Sequence, residues 1–144
     1  MSSLNLIGLS HRRAPVELRE RVTLTDAEAA ELSRRLANDD GEVVCLSTCN
    51  RTEIYSAGRE STEALVLLAE RSGLAADELA DVAYTLHDDD VALHLYRVAA
   101  GLDSLVPGEG QILGQVRSAF DSGTTGPLLD RMFRGAIHAG RRVR

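Results

Sequence analysis

The order in which extended and helical segments alternate constrains the fold of this chain more than any other feature. Apolar or alternating stretches predict four strands, at residues 4–9, 42–47, 52–57 and 82–87. Helical patterns stand between the first and second strands and between the third and fourth, at residues 15–22, 25–37, 61–72 and about 76–80. The resulting β-α-β-β-α-β order is that of a ferredoxin-like unit with an antiparallel sheet.

The remainder of the chain is predicted to be helical. Asp88, Asp89 and Asp90 are predicted to cap a helix from residue 91 to about 100, and two more helices are predicted at 109–121 and 127–142. We therefore expect an α+β fold, with a ferredoxin-like βαββαβ core followed by C-terminal helices. A length of 144 residues suits one domain, here 1–144 with a helical extension over about 88–144.

Charge and hydropathy exclude several classes of protein. No apolar run approaches the ~18–20 residues of a membrane span, and the first residues lack a secretory signal, so a cytoplasmic location is expected. The net charge of −6 argues against a general nucleic-acid coat. Residues 131–144 are nonetheless basic and contain no acidic residue, which indicates either a solvated helix end or a patch for phosphate or for a following domain. The arginines of this segment are Arg131, Arg134, Arg141, Arg142 and Arg144.

The two cysteines stand in different sequence contexts. Cys45 lies in an apolar strand and is expected to be shielded, whereas Cys49 lies in a polar, tight connection and is expected to be accessible. Their spacing does not fit a CxxC zinc or redox motif, so two free thiols are expected. Arg51, two residues after Cys49, would favour the thiolate. The residues alone leave two interpretations of Cys49 open, a nucleophile or an inert surface thiol.

His94 lies at the edge of the predicted buried stripe of its helix. That stripe consists of Val91, Leu95, Val98 and Leu102. His94 is either a partly buried packing residue or the acid or base that serves Cys49. The other histidines show no ligand spacing, so no metal site is predicted.

The glycine-rich stretch at 108–114 does not fit a dinucleotide-binding motif. Its third glycine comes one residue too late for GxGxxG, and the stretch follows a helix and loop rather than a strand. A phosphate-binding lysine is excluded because the chain contains no lysine. The stretch is interpreted as a loop and a helix N-terminus whose amides can bind an anion. The polar residues in and beside this stretch are Ser104, Glu109, Gln111 and Gln115.

Five blocks of sequence carry a resemblance to a known family. In chain order they are Gly8–Val16, Ser47–Glu53, His94–Ser104, Gly108–Val116 and Gly140–Arg144. Over essentially its whole length the chain resembles the N-terminal catalytic domain of the glutamyl-tRNA reductase family. The resemblance implies NADPH-dependent reduction of glutamyl-tRNA to glutamate-1-semialdehyde, the first step of five-carbon tetrapyrrole biosynthesis. Cys49 would be the nucleophile that forms a glutamyl thioester.

The resemblance also implies further site residues. His94 matches a histidine important for activity, as base or as orienting group. Arg51 would grip the substrate carboxylate in bidentate fashion. The glutamyl pocket would be formed by Thr48, Asn50, Arg51, Ser104, Glu109, Gly110, Gln111 and Gln115.

The family pattern extends beyond this chain. Its NADPH-binding and dimerisation domains are missing here, so the chain is expected to carry the acyl-transfer site without reductase turnover. The whole enzyme would be a homodimer, with the downstream aminomutase as a further partner, and the fragment a monomer. The segment 118–123 is expected to be about four residues, or one helical turn, shorter than in the family. This difference puts the docking of residues 127–144 in question. The alternative function is a non-catalytic tRNA-binding or regulatory module that uses the Arg131–Arg144 face.

Overall fold

Four strands form the centre of the fold, and seven helices surround them within the described residues. The computed structural model describes residues 4–38, 41–58, 61–102 and 111–143. The strands are β1 (Leu4–Ser10), β2 (Glu42–Ser47), β3 (Arg51–Ala57) and β4 (Tyr84–His87). The helices are α1 (Val16–Val22), α2 (Asp26–Ala37), α3 (Ser61–Ser72), α4 (Ala76–Val82), α5 (Asp89–Ala99), α6 (Ile112–Ser122) and α7 (Pro127–Val143). The strands pair in the order β2-β3-β1-β4, all antiparallel. The predicted α+β fold is confirmed.

Helices cover both faces of the sheet. Helices α1 to α4 supply the core on one face, and α5 to α7 supply the core on the other. Because successive side chains of a strand point to opposite faces, Ile54 joins the first core and Tyr55 the second. Strand β3 is consequently buried along its whole length. A polar side chain on β3 therefore requires a partner inside the protein.

Helix α2 begins with the predicted capping box. The Thr25 hydroxyl accepts a hydrogen bond from the Glu28 backbone N–H, and the Glu28 carboxylate accepts one from the Thr25 N–H. The predicted apolar face, with Leu32 and Leu36, is buried against the first core. This helix packs beside β2 and positions one wall of the region described below.

The junction between α6 and α7 is fixed to strand β2. Val43 and Thr124 exchange backbone hydrogen bonds of 2.8 and 2.9 Å. The Glu42 carboxylate accepts hydrogen bonds from the N–H groups of Gly126 and Leu129, both 2.8 Å, and thereby caps the first turn of α7. The apolar face of α7 is buried, and this helix packs against α5 and the sheet.

Three local predictions were wrong. Strand β4 begins at Tyr84 rather than at residue 82, because α4 continues to Val82. Leu102 is 55% exposed, because α5 ends at Ala99 and the chain turns at Gly101, where φ is +78°. Asp88 does not cap α5 with its side chain, which instead accepts a hydrogen bond from the Leu4 N–H.

Two further findings concern the helices. The predicted start of the penultimate helix, residue 109, lies outside the described residues, and α6 is described from Ile112. Within the described ranges, none of the helices combines the length and apolarity that a bilayer span demands.

Candidate functional site

Cys49 lies in the turn between β2 and β3, with its side chain exposed as predicted. The backbone N–H of Thr48 donates to the Arg51 carbonyl at 2.8 Å, and the Thr48 hydroxyl accepts from the Asn50 N–H at 3.1 Å. The Asn50 carbonyl also accepts from the His11 N–H, which follows β1, at 2.8 Å. Four predicted site residues, Thr48 to Arg51, therefore share one hydrogen-bonded turn.

Hydroxyl groups fix the strand ends beside this turn. The hydroxyls of Ser47 and Thr52 lie 3.0 Å apart across the β2–β3 pair. Ser47 also accepts a hydrogen bond from the Leu24 N–H at 3.0 Å, which ties the segment between α1 and α2 to β2. The loop that carries Cys49 is thus anchored on both strands.

A cavity of about 500 Å³ opens beside Cys49. Helix α1 and the residue after it provide its other wall, with Val16, Arg19, Glu20 and Thr23. The Nε and Nη1 atoms of Arg19 are buried and have no hydrogen-bond partner among the described residues. A guanidinium in this state is suited to bind an anionic group. Sequence reasoning missed Arg19, because it belongs to none of the recognisable motifs.

A buried carboxylate, Glu53, collects the polar groups on the other side of the turn. Glu53 lies on β3 and is fully buried. His94 Nε2 lies 2.5 Å from its Oε2 atom, and the Tyr84 hydroxyl donates to the same oxygen. The Tyr55 hydroxyl donates to Oε1 at 2.7 Å, and Arg51 Nη1 lies 3.7 Å from Oε2. We refer to these five side chains as the Glu53 cluster.

The electrostatics of the Glu53 cluster favour an ionised carboxylate. Burial by itself raises the pKa of Glu53, but the hydrogen bond and charge of His94, the charge of Arg51 and the Tyr84 hydroxyl together lower it below its ordinary value. Burial, followed by the neighbouring negative charge, raises the pKa of Tyr55 well above its usual range. Tyr55 is therefore a fixed donor at neutral pH.

The ionised carboxylate sets the tautomer of His94. A carboxylate only accepts hydrogen bonds, so Nε2 of His94 must carry the proton it donates to Glu53. In the neutral state of the imidazole, this arrangement leaves the lone pair on Nδ1, and in the charged state Nδ1 carries the second proton. The cluster can thus orient a histidine base or acid, although α5 and β3 are far apart in sequence.

Gly8 makes room for this arrangement. Gly8 pairs with Glu53 on β3 and with Tyr84 on β4. A Cβ atom at position 8 would lie 2.9 Å from Glu53 Cγ and 2.9 Å from Tyr84 Cζ. Sequence reasoning also missed Glu53 and Tyr84. A glycine inside a strand can mark a site of close approach, and Gly8 is the available signal of that kind in β1.

The structure places Gln111 and Gln115 at another cavity. This cavity of about 520 Å³ lies along β2 between α2 and α6. Ser47, which adjoins Thr48, also lines it. In the described part of the chain, the two glutamines therefore do not line the cavity that contains Cys49. The predicted site residues Ser104, Glu109 and Gly110 lie outside the described residues.

The other cysteine, Cys45, has an unreactive thiol. Cys45 is 2% exposed, and burial raises the pKa of its thiol to about 12. A thiol is nucleophilic as its thiolate, so Cys45 remains unreactive near neutral pH. The predicted contrast between a shielded Cys45 and an accessible Cys49 is confirmed. Across the described ranges, no three His, Cys, Asp or Glu side chains form a group that could hold a metal ion.

Comparison with known proteins gives consistent results. A protein-family model described as the N-terminal domain of glutamyl-tRNAGlu reductase matches residues 7–144. The chain is 49% identical over 146 residues to the glutamyl-tRNA reductase of Rubrobacter xylanophilus, and the match covers 95% of this chain and 34% of that protein. It is 45% identical over 153 residues to the chloroplastic glutamyl-tRNA reductase of Oryza sativa subsp. indica, with 99% of this chain and 28% of that protein covered.

A solved structure agrees with the sequence matches. The glutamyl-tRNA reductase from Methanopyrus kandleri superposes with a TM-score of 0.79 at 32% sequence identity, covering 98% of this chain and 34% of that chain. This chain thus spans about a third of the length of these relatives. Since the family model matches nearly all of its residues, the chain belongs to the glutamyl-tRNA reductase N-terminal domain family.

Proposed function

We propose that this chain forms the acyl-transfer site of a glutamyl-tRNA reductase, in the first step of tetrapyrrole biosynthesis. The observation that carries the proposal is Cys49, an exposed thiol in a hydrogen-bonded turn at the mouth of a cavity, in a chain of this family. The relatives are named as reductases of glutamyl-tRNA, so the substrate would be the glutamyl ester at the 3′ end of a tRNA.

The proposed step is a transfer of the glutamyl group to sulfur. The thiolate of Cys49 attacks the carbonyl carbon of the ester and forms a carbon–sulfur bond. The ester bond to the terminal ribose breaks, and the ribose hydroxyl leaves with a proton. The product on the protein is a glutamyl thioester, which preserves the activation of the acyl group.

His94 and Glu53 would have different roles in this step. His94 would act on the proton of the reacting group, through the nitrogen that does not face Glu53. Glu53 would be a positioning residue, since it fixes the imidazole tautomer without touching the substrate. Arg51 remains the proposed partner of the substrate carboxylate. Because Arg51 is fully buried, a local rearrangement would be needed before the substrate carboxylate could reach its guanidinium.

The other family-implied residues of the described ranges fall into two groups, and only the first adjoins Cys49. Thr48 and Asn50 lie in the turn of Cys49, and Gln111 and Gln115 lie along the neighbouring edge of β2. The buried nitrogens of Arg19 offer a second anchor for an anionic group of the substrate.

The hydride that completes a reductase reaction would be supplied by NADPH. A dinucleotide typically binds at the carboxyl ends of parallel strands, at the turn of a βαβ unit. Among the described residues all strand pairings are antiparallel, and no glycine-rich turn connects a strand to a helix. These residues do not fit the cofactor, so the proposal for this chain ends at the thioester.

Acyl trapping tests the proposal. The chain would be incubated with tRNA charged with radiolabelled glutamate, without NADPH, and quenched in acid. We expect label on the protein that mild base or hydroxylamine releases. Cys49→Ala should carry no label, whereas Cys45→Ala, which removes the other thiol, should be labelled like the wild type.

Two results would contradict the proposal. One is label that persists in Cys49→Ala. The other is a wild-type chain that is folded by circular dichroism, binds the charged tRNA, and still retains no label. The second result would favour the non-catalytic tRNA-binding module.

A further inference from the structure

A basic cleft lies between α6 and α7, formed by residues that the proposed acyl-transfer site does not use. Its volume is about 320 Å³. Arg117, Phe120 and Asp121 line it from α6, and Arg134, His138 and Arg141 line it from α7. We call this the α6–α7 cleft.

The spacing on α7 directs its basic residues to one side. Positions 134, 138 and 141 follow one another at i, i+4 and i+7, which places them on one face of a helix. At 1.5 Å per residue, this row extends about 10 Å along the helix axis. The opposite face of α7, with Met132 and Ala136, is buried in the core, so the direction of the row is fixed.

An aromatic ring forms the floor of the cleft. The Arg134 guanidinium lies 5.4 Å from the centroid of the Phe120 ring. Phe120 itself stacks on Phe133, with ring centroids 5.6 Å apart and planes 4° from parallel. Phe133 is fully buried, so Arg134 rests on a ring that the core holds in place.

The cleft carries an excess of positive charge. Its lining has three arginines and one carboxylate, that of Asp121. Within the described ranges, no ion pair joins Asp121 to any of these arginines. The net charge of the chain is −6, so this concentration of unneutralised arginine contrasts with the rest of the surface.

We propose that the α6–α7 cleft binds backbone phosphates of the substrate tRNA, an inference that rests on the proposed function. Neighbouring arginines on the two helices can neutralise several phosphodiester charges, and their planar guanidinium groups match the oxygens of each phosphate. The cleft thus positions the tRNA, while the turn at Cys49 carries out the chemistry.

Binding of uncharged tRNA tests the inference separately from catalysis. The full 144-residue chain would be titrated into fluorescently labelled, deacylated tRNA-Glu, with anisotropy recorded between 50 and 200 mM salt. The test variant is Arg117→Gln/Arg134→Gln/Arg141→Gln, which changes three exposed side chains. The matched control, Arg34→Gln/Arg35→Gln/Arg97→Gln, removes the same charge from exposed positions elsewhere.

The salt dependence gives the sharpest outcome. The test variant should bind tRNA at least about tenfold more weakly at the lowest salt, and the slope of log K against log salt should shrink by about 2. The control should retain most of the affinity and the slope. Equal losses of affinity in both triple variants would overturn the inference. Unchanged binding in the test variant would also overturn it, and would leave an acidic protein surface as the ligand of the cleft.

Acyl trapping on the same variant separates the two proposals. At saturating glutamyl-tRNA the test variant should still form the thioester, because its substitutions lie outside the turn of Cys49. If the wild type binds tRNA through the three arginines but forms no thioester, the proposed function fails and the phosphate site remains.

Discussion

The Glu53 side chain is charged although it is completely buried. An isolated buried carboxylate would be strongly unfavourable, and this one is retained because four side chains donate to it or lie beside it. His94 comes from α5 and Tyr84 from β4, so the cluster joins two elements to β3. Its integrity is a condition both for the fold and for the orientation of His94.

Replacing Glu53 by glutamine should destabilise the protein in a pH-dependent way. The pKa of Glu53 is lower in the folded protein than its ordinary value of 4.5, so the carboxylate contributes stability above that pH and loses it as the pH falls through the folded pKa. At pH 7 we expect Glu53→Gln to lose about 2–4 kcal/mol of unfolding free energy. Urea denaturation between pH 7 and pH 3 measures this.

The exposed Glu31→Gln substitution is the control for that experiment. It should change the unfolding free energy by less than about 0.5 kcal/mol at any pH in the range. The difference between wild type and Glu53→Gln should narrow as the pH falls through the folded pKa of Glu53, because both side chains are neutral below it. A difference that stays constant with pH would refute the ionised state of Glu53.

At this scale the sequence reveals single motifs better than clusters. The exposed Cys49 and the shielded Cys45 follow from polar and apolar neighbours that are adjacent in the chain. Glu53 does not, because its partners Tyr84 and His94 lie 31 and 41 residues away. Arg19 meets Cys49 only after α1 has folded against the turn.

Helices α5 and α7 approach closely at a glycine. A Cβ atom at Gly140 would lie 2.8 Å from the Ala99 carbonyl oxygen and 2.9 Å from a methyl group of Leu113. The first of these neighbours is backbone and cannot rotate away. The absence of a side chain at position 140 therefore determines how near α7 can lie to α5.

Gly140→Ala should consequently destabilise the protein, by about 1–3 kcal/mol, because the two helices must separate. Gly114→Ala is the matched control, since nothing lies within 4 Å of its added methyl group. There the better helix propensity of alanine should stabilise the protein by up to about 1 kcal/mol. Thermal unfolding of both variants measures the two signs, and a stabilised Gly140→Ala would disprove the close approach.

Helix ends that are capped by adjacent residues can be predicted from the sequence, whereas those capped by residues far away in the chain cannot. The capping box of α2 lies within four residues, and its helix was predicted to within one residue at each end. The start of α7 is capped instead by Glu42, which is 84 residues from Gly126. Likewise, the Asp88 side chain accepts a hydrogen bond from the Leu4 N–H and does not cap the helix that follows it.

On the scale of the whole molecule, one sheet is shared by two cores. Strand β3 contributes Ile54 to one core and Tyr55 to the other, so loss of either core exposes the same strand. We expect the described part of the chain to unfold as one cooperative unit for this reason.

Leu32→Ala, in the core of α1 to α4, tests that cooperativity. All three tyrosines, Tyr55, Tyr84 and Tyr96, lie on the side of α5 to α7, and the chain has no tryptophan. The substitution should cost about 2–5 kcal/mol. Tyrosine fluorescence should nevertheless report the same lowered urea midpoint as far-UV circular dichroism. Separate midpoints for the two signals would show that the cores unfold independently.

The two edge strands of the sheet, β2 and β4, are protected in different ways. Thr124 occupies the hydrogen-bonding positions of Val43 on β2, and α6 lies alongside that strand. At the opposite rim, β4 has only four residues, and its outward positions carry Thr85 and His87. Neither rim offers a long, flat template onto which a strand of another molecule can add. Edge-to-edge polymerisation of this domain is thereby disfavoured during synthesis and at high concentration.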